Sequence, residues 1–162
     1  MKIGNKEFDT AKHTYIMGIL NVTPDSFSDG AKWNGYEAAM RHAEELLEGG
    51  TDILDIGGES TRPGHQQITP EEEITRTAPV IEAVKKNFDV PVSIDTYKSD
   101  VAEAALQAGA DLVNDIWGFQ YDEKMAGLVK KYDAACCLMH NKNEAVYKDF
   151  LKDMYAELQK CV

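Results

Sequence analysis

Two polar side chains, Asp95 and Asn114, each follow a short apolar run, at the point where a buried β-strand would end. A carboxylate accepts hydrogen bonds and an amide both donates and accepts them, so the pair could bind the edge of a flat heterocycle. Taken singly, each has a simpler interpretation, because strand-end Asp residues often cap the next helix and Asn residues often bond loop backbone. Together at one end of a fold, they favour a ligand site.

Two polar connections are longer than strand-to-helix loops usually are. The first, 21–30, reads Asn-Val-Thr-Pro-Asp-Ser-Phe-Ser-Asp-Gly, and roughly 14 residues separate its strand from its helix, against a usual two to six. Its composition also fits ordinary turns, but the aromatic side chain of Phe27 among polar residues indicates a loop that covers a planar ligand. The second, 57–64, reads Gly-Gly-Glu-Ser-Thr-Arg-Pro-Gly. Arg62 suits phosphate or carboxylate, although a solvated arginine on a glycine bend fits equally well.

Short apolar runs alternate with helical patterns five times along the chain. The predicted strands are 15–20, 52–56, 91–95, 111–114 and 134–139, and the predicted helices are 35–48, one beginning at Pro70, 98–108, 122–132 and 143–162. The helix at Pro70 has the clearest start, because Thr69 is a favoured N-cap and Glu72 completes a capping box. The segment before Tyr15 is predicted to form a small hairpin.

Near-continuous apolar strands followed by amphipathic helices predict an α/β fold with a parallel sheet. The candidate polar residues all follow strand ends: Asn21, 57–61, Asp95, Asn114 and His140. A TIM (β/α)8 barrel gathers such positions at one mouth, whereas an open sheet leaves some of them far from its ligand crevice. A barrel has eight units and about 250 residues. We therefore expect one barrel domain over 1–162 in which only the first five units are present.

Composition narrows the function classes. Asp and Glu number 28 against 17 Lys and Arg, for a net charge of −11. Nucleic acid and anionic membranes attract clustered positive charge, so we expect neither as a partner, and an anionic substrate would need local positive charge or a metal ion. The apolar runs are too short to span a membrane, and no secretory signal begins the chain. The three cysteines fit neither a disulfide framework nor a metal site, which indicates a reduced, cytoplasmic protein.

The remaining reactive or charged groups have ordinary structural interpretations. Adjacent Cys136 and Cys137 are expected to pack in the core. His140 is a candidate acid or ligand, but a single strand-end histidine is more often structural. The charge runs 71–73 and 130–131 are expected to be solvated helix termini.

Several motifs together resemble the dihydropteroate synthase family of folate biosynthesis. They are 21–30, Asp55-Ile-Gly-Gly-Glu-Ser-Thr-Arg-Pro-Gly64, Ser93-Ile-Asp-Thr96 and Gly109-Ala-Asp-Leu-Val-Asn-Asp-Ile116, and the resemblance runs from Ile16 to about Val162. It implies a TIM (β/α)8 barrel that joins 6-hydroxymethyl-7,8-dihydropterin pyrophosphate to p-aminobenzoate and releases pyrophosphate. It also implies Mg2+ as a cofactor, a homodimer at full length and inhibition by sulfonamides.

The resemblance assigns roles residue by residue. Asn21 matches an asparagine that coordinates Mg2+ on the pyrophosphate, and Asp95 and Asn114 match catalytic-site residues that hydrogen-bond the pterin. Six further positions match substrate-pocket residues: Thr61 and Arg62 on a loop that contacts the substrates, Phe27 and Pro63 at the p-aminobenzoate site, and Ile116 and Met139 against the pterin ring.

The implied reaction suits these residues. Leaving pyrophosphate carries negative charge that Mg2+ and Arg62 would stabilise as the C–O bond breaks. Because the carbon that is attacked lies next to an electron-rich ring, we expect a dissociative displacement in which the arylamine arrives second.

Two departures from the family pattern bear on activity. Ala31 stands where the family usually has a second glycine. The family continues with an Asp-Pro-Gly-hydrophobic-Gly-Phe strand, a pterin-facing lysine and an Arg-x-His pair, and none of these occurs in the 162 residues. We expect this chain to be the N-terminal three-fifths of a dihydropteroate synthase, inactive by itself, or alternatively a non-catalytic pterin-binding module.

Overall fold

The computed structural model describes residues 1–23, 32–60 and 67–161. Its strands are β1 (Lys2–Ile3), β2 (Lys6–Glu7), β3 (Met17–Asn21), β4 (Ile53–Gly57), β5 (Val92–Asp95), β6 (Leu112–Asp115) and β7 (Ala135–Leu138). Its helices are α1 (Lys32–Glu48), α2 (Pro70–Asn87), α3 (Ser99–Gln107), α4 (Met125–Tyr132) and α5 (Phe150–Leu158). Among the helices described, none is long and apolar enough to cross a membrane.

Strands β3 to β7 form one parallel sheet whose spatial order is the same as their order along the chain. Each strand pairs with its successor, and helices separate consecutive strands. A doubly wound sheet would reverse its order at a switch point, and this one does not. The order is that of a TIM barrel. The predicted fold class, with five β/α units, is confirmed.

The helix-facing side of the sheet forms the main core. Leu54, Ile56, Val92 and Ile94 are fully buried and belong to one apolar cluster that includes residues of α2, α3 and α4. Burying each such side chain contributes about 2 kcal/mol relative to leaving it in water. Because side chains alternate along a strand, the residues between these four point to the opposite, concave side of the sheet.

The N-terminal hairpin closes one end of the sheet. β1 and β2 pair antiparallel, as predicted, and Ile3 and Phe8 pack against Ile53 and Leu112 in a second apolar cluster. Ile53 and Leu112 are the first residues of their strands. The hairpin therefore lies at the amino ends of the strands, at the far end from Asp95.

Helix α2 begins as predicted, since the Thr69 hydroxyl oxygen accepts a hydrogen bond from the Glu72 amide at 3.2 Å. Helix α5 does not begin at the predicted residue 143. It begins at Phe150, where the Asp149 side chain caps it by accepting from the Lys152 amide at 3.3 Å. The residues before it form an irregular turn in which the Tyr147 and Phe150 rings meet edge to face, with centroids 5.0 Å apart.

The prediction that Cys136 and Cys137 pack in the core is wrong, because both are exposed. They occupy β7, which pairs with β6 on one side, and no strand pairs with its other edge in the part of the chain described. Side chains on both faces of this edge strand are therefore open to solvent.

Candidate functional site

The carboxyl ends of the five parallel strands carry one row of site residues. Asn21 is in register with Gly57, Gly57 with Asp95, Asp95 with Asn114, and Asn114 with Cys137. Registered partners in a parallel sheet lie on the same face, about 4.8 Å from one strand to the next. We refer to these five residues as the site row. The prediction that strand-end polar residues meet at one mouth is confirmed for Asn21, Gly57, Asp95 and Asn114, whereas residue 61 lies outside the described residues.

A second row lies one pleat deeper on the same face and was missed by the sequence analysis. Asp55 pairs with Ser93, two positions before Gly57 and Asp95. Asp55 is 6% exposed and Ser93 is fully buried. A period of two within otherwise apolar strands was the signal that could have identified them.

Asp55 orients Asn114. The amide nitrogen Nδ2 of Asn114 donates to Asp55 Oδ2 at 3.1 Å. Because the amide nitrogen is engaged below, the amide oxygen is the atom left to accept from a ligand. The sequence predicted that Asn114 both donates and accepts; this contact uses one of its two N–H groups and leaves the oxygen and the second N–H for a ligand.

Three buried polar atoms around this point have no hydrogen-bond partner among the residues described: Asp55 Oδ1, Ser93 Oγ and Asp95 Oδ1. Buried polar atoms in native proteins are nearly always bonded to protein, water or ligand. A hydroxyl beside two carboxylates suits a ligand that presents several N–H groups.

Burial controls the acidity of the two carboxyls. Burial, together with the negative charges of Asp55, Glu73 and Asp115, raises the pKa of Asp95 to about 7. Burial also raises the pKa of Asp55, although the nearby Ser93 hydroxyl and the hydrogen bond from Asn114 oppose the rise. Asp95 is therefore poised to change protonation state near neutral pH, where proton donation to Asp95 or removal from it is easiest.

Gly57 leaves a gap between two oxygen-bearing side chains. A β-carbon built at Gly57 would lie 3.5 Å from Asn21 Oδ1 and 3.5 Å from Asp95 Oδ2, in ordinary contact with both. A ligand atom at that point can therefore reach both side chains. Glycine keeps the space open.

The donor set around Asn21 fits a magnesium ion that a substrate helps to hold. Amide and carboxylate oxygens are hard ligands, and Mg2+ often takes only one or two from protein while phosphates and waters supply the rest. Within the described ranges, no group of three or more His, Cys, Asp or Glu side chains could hold a metal by itself. A shared site is thus the arrangement that these residues permit.

The predicted ring-packing residues reach the same end of the sheet. Ile116 directly follows β6 and is half-buried, and Met139 directly follows β7 and is 46% exposed. Asp115 fixes the turn after β6, because its carboxylate accepts from the Trp117 amide at 2.8 Å and from the Phe119 amide at 2.9 Å. The predicted substrate residues Phe27, Thr61, Arg62 and Pro63 lie outside the described residues, as does Ala31.

His140 has a structural contact, as the sequence favoured. Its Nε2 atom lies 2.5 Å from Glu157 Oε2, which joins the segment after β7 to α5. The prediction for residues 71–73 is wrong at Glu73, which is 1% exposed and accepts from Lys98 Nζ at 2.7 Å. Lys130 and Lys131 are exposed, as expected for a solvated helix terminus.

The family follows from comparison with known proteins. The family described as pterin binding enzyme matches residues 17–162, which is most of the chain. The chain therefore belongs to the pterin-binding enzyme family.

Relatives within it carry a more specific name. Over all of this chain and 60% of the relative's length, it is 55% identical to a dihydropteroate synthase of Clostridium beijerinckii. A dihydropteroate synthase of Clostridium difficile, crystallised in the presence of pteroic acid, superposes with a TM-score of 0.86 at 48% identity, over 96% of this chain and 62% of that one. A Xanthomonas albilineans dihydropteroate synthase with 4-aminobenzoic acid superposes with a TM-score of 0.85 at 40% identity, over 94% and 55%. The chain spans about three-fifths of the length of these relatives.

Proposed function

We propose that this chain forms the pterin-recognising part of a dihydropteroate synthase, which condenses 6-hydroxymethyl-7,8-dihydropterin pyrophosphate with p-aminobenzoate. The site row carries the proposal, because it aligns Asn21, Asp95 and Asn114 at the carboxyl ends of β3, β5 and β6 in one parallel sheet, where barrel enzymes build their active sites. Relatives crystallised with pteroic acid and with 4-aminobenzoic acid support the substrate classes.

Asp95 and Asn114 are proposed to bind the pterin edge. The pterin presents N–H and NH2 groups, and an ionised Asp95 together with the Asn114 amide oxygen supplies acceptors for them. Asp55 keeps Asn114 in that orientation through the 3.1 Å bond from its amide nitrogen. Ile116 and Met139 are proposed to pack against the ring.

Asn21 is proposed to contribute one oxygen to Mg2+ shared with the substrate pyrophosphate. When bound, Mg2+ would offset the negative charge of the leaving group. Arg62 is proposed to contact the same charge, Thr61 the substrates, and Phe27 and Pro63 the p-aminobenzoate. A dissociative displacement, with the arylamine arriving second, stays our expectation for the chemistry, and it would be excluded if p-aminobenzoate had to bind before C–O cleavage.

Calorimetric titration of the 162-residue chain with 6-hydroxymethyl-7,8-dihydropterin pyrophosphate and Mg2+ tests the proposal. We expect saturable binding that Asp95→Asn and Asn114→Ala each weaken by about tenfold or more, equivalent to about 1.4 kcal/mol or more. Asp133→Asn is the matched control, because Asp133 is an exposed residue at the end of α4. Absence of binding up to millimolar ligand, or binding that neither site variant weakens, would refute the proposal.

The alternative is a pterin-binding module without catalysis. The chain covers 60% of the length of the Clostridium beijerinckii relative. Pyrophosphate release with p-aminobenzoate present separates the two: we expect binding but no release from these 162 residues alone. Homodimer formation at full length, cytoplasmic location and sulfonamide inhibition also stay predictions.

A further inference from the structure

Four buried polar residues, Glu59, Glu73, Tyr97 and Lys98, form a cluster beside the site row; we refer to them as the anchor cluster. The side chains of Glu59, Glu73 and Lys98 are 3%, 2% and 11% exposed. Tyr97 is 4% exposed, and its hydroxyl donates to Glu59. None of the four belongs to the site row.

One ammonium group joins the cluster. Lys98 Nζ donates to Glu59 Oε2 at 2.7 Å, to Glu73 Oε2 at 2.7 Å and to the Ile68 carbonyl oxygen at 2.9 Å. All three of its protons therefore have acceptors. Burial alone would lower the pKa of Lys98, but its hydrogen bonds to Glu59 and Glu73 and their charges outweigh this effect, so its pKa is raised and it stays charged.

The cluster is a costly way to stabilise a fold. Two carboxylates and one ammonium leave a net negative charge in a buried position, and a buried ion cluster is often no more stabilising than apolar residues of similar volume. Such clusters have their best-supported use in fixing one arrangement of the chain.

The anchor cluster fixes both ends of the connection between β4 and α2. At one end is Glu59, and Arg76 Nη1 adds a hydrogen bond to the Gly58 carbonyl at 2.8 Å. At the other end, the Ile68 amide donates to Glu59 Oε2 at 2.9 Å, and Gln67 Nε2 donates to the Tyr97 hydroxyl at 3.1 Å. The two ends are therefore joined to each other and to a common partner.

That common partner is the turn that follows Asp95. Tyr97 and Lys98 lie two and three residues after Asp95, in the link from β5 to α3. The same turn is held to the next strand, because the Thr96 amide donates to the Asn114 carbonyl at 3.1 Å. The ends of the β4–α2 connection and the two pterin-edge residues thus share one rigid base.

We propose that Glu59, Glu73 and Lys98 are positioning residues that hold the ends of the β4–α2 connection in register with Asp95 and Asn114. The inference rests on the proposed function, because this connection carries Thr61 and Arg62 in the sequence. Loosening its ends leaves the pterin edge contacts in place but weakens the binding of the pyrophosphate.

The test compares two ligands on the same variants of this chain. Lys98→Met is expected to weaken binding of 6-hydroxymethyl-7,8-dihydropterin pyrophosphate by about tenfold or more, and of the same pterin without pyrophosphate by less than about threefold. Lys98→Arg keeps the charge and is expected to retain most of the affinity for the pyrophosphate ligand that Lys98→Met loses, since a guanidinium can bridge two carboxylates.

Lys85→Met is the matched control. Lys85 Nζ contacts Asp111 Oδ2 at 2.7 Å, with side chains 28% and 15% exposed, next to the amino ends of β5 and β6. Lys85→Met, like Lys98→Met, removes a partly buried lysine from a carboxylate. It therefore reproduces a loss of stability without changing a residue that holds the β4–α2 connection. It is expected to change the affinity for either ligand by less than about twofold.

Equal weakening of both ligands by Lys98→Met, or no weakening of either, overturns the proposal. If Lys98→Met fails to fold, Glu73→Gln takes its place and must shift the ratio of the two affinities in the same direction. If the unaltered chain binds neither ligand, the proposed function fails instead, and amide hydrogen exchange judges the positioning role. Faster exchange at Ile68 and Thr96 in Lys98→Met, but not in Lys85→Met, would support it, and unchanged exchange would overturn it.

Discussion

Asp95 illustrates at the residue scale how a binding group opposes stability. Its pKa is raised to about 7 by burial and by nearby carboxylates, against an ordinary value of 3.8. Between those pH values the folded chain binds more protons at this site than the unfolded chain does, so stability falls as pH rises through the window. Above about pH 7 the full cost is present.

Asp95→Asn is therefore expected to stabilise the chain at pH 8 relative to pH 4. The effect of Asp95→Asn on the free energy of unfolding is expected to be more favourable at pH 8 than at pH 4 by about 2–4 kcal/mol, because the pKa of Asp95 is shifted by roughly three units. Urea titrations in metal-free buffer at both pH values measure it, with Asp133→Asn as the exposed control. An effect of the same size at both pH values would show that Asp95 does not titrate near neutrality.

Gly57 keeps a space open between the side chains of Asn21 and Asp95. Gly57→Ala places a methyl group 3.5 Å from both Asn21 Oδ1 and Asp95 Oδ2, so it is expected to weaken the pyrophosphate ligand by about tenfold while costing less than about 1 kcal/mol of stability. Gly127→Ala in α4 is the control, because nothing lies within 4 Å of its β-carbon. It is expected to stabilise the helix by up to about 1 kcal/mol without affecting the ligand. Unchanged affinity in Gly57→Ala would place the ligand elsewhere.

At the element scale, β7 differs from the other strands of the sheet because it is paired on one side only within the described chain. Cys136 and Cys137 are exposed residues, but their sulfur atoms are partly buried, and this partial burial is the main cause of their raised thiol pKa values. Cys161 is half-buried after α5, and its Sγ donates to the Glu157 carbonyl at 3.5 Å.

Maleimide labelling of the native chain at pH 8 is expected to modify Cys136 and Cys137 before Cys161, because both are exposed whereas Cys161 is half-buried, and this difference in access is expected to outweigh their raised thiol pKa values. Mass spectrometry of the digested protein gives the order. Protection of Cys136 and Cys137 in dilute protein would mean that another segment or a second copy covers β7, and a comparison at high protein concentration distinguishes these two.

At the scale of the whole molecule, stability and binding are placed at opposite ends of the strands. The hairpin that contains Ile3 packs with Phe8 against the amino ends of β4 and β6. The site row occupies the carboxyl ends. A loss of packing at one end should therefore leave the chemistry of the other end intact.

Phe8→Ala tests this separation. Phe8 is 5% exposed, and its truncation is expected to lower the free energy of unfolding by about 3 kcal/mol, as for other buried Phe→Ala changes. Ligand affinity of the folded fraction is expected to change by less than about twofold, measured by titration below the unfolding temperature. A large loss of affinity would reveal coupling between the two ends.

Most of the fold could be predicted because its causes are local. Strands and helices followed from apolar runs and from capping residues such as Thr69, whose cap is present. The start of α5 was missed because the Tyr147 ring packs against His140 and Phe150 around a turn, and Asp149 caps the helix only after that turn. Glu73 was predicted to be exposed because it lies in a charge run at the start of a helix. Its burial is stabilised by the hydrogen bond from Lys98, a partner distant in the sequence.

The sequence by itself determined the class of fold, the gathering of Asn21, Asp95 and Asn114 at one mouth, and the family, because strand periodicity and loop motifs are written in neighbouring residues. Tertiary structure alone decided the orientation of the Asn114 amide by Asp55, the raised pKa of Asp95 and the anchor cluster around Lys98. The hydrogen bonds from Asn114 to Asp55 and from Lys98 to Glu73 join residues 59 and 25 positions apart. Such contacts exist only once the parallel sheet has brought separate strands into register.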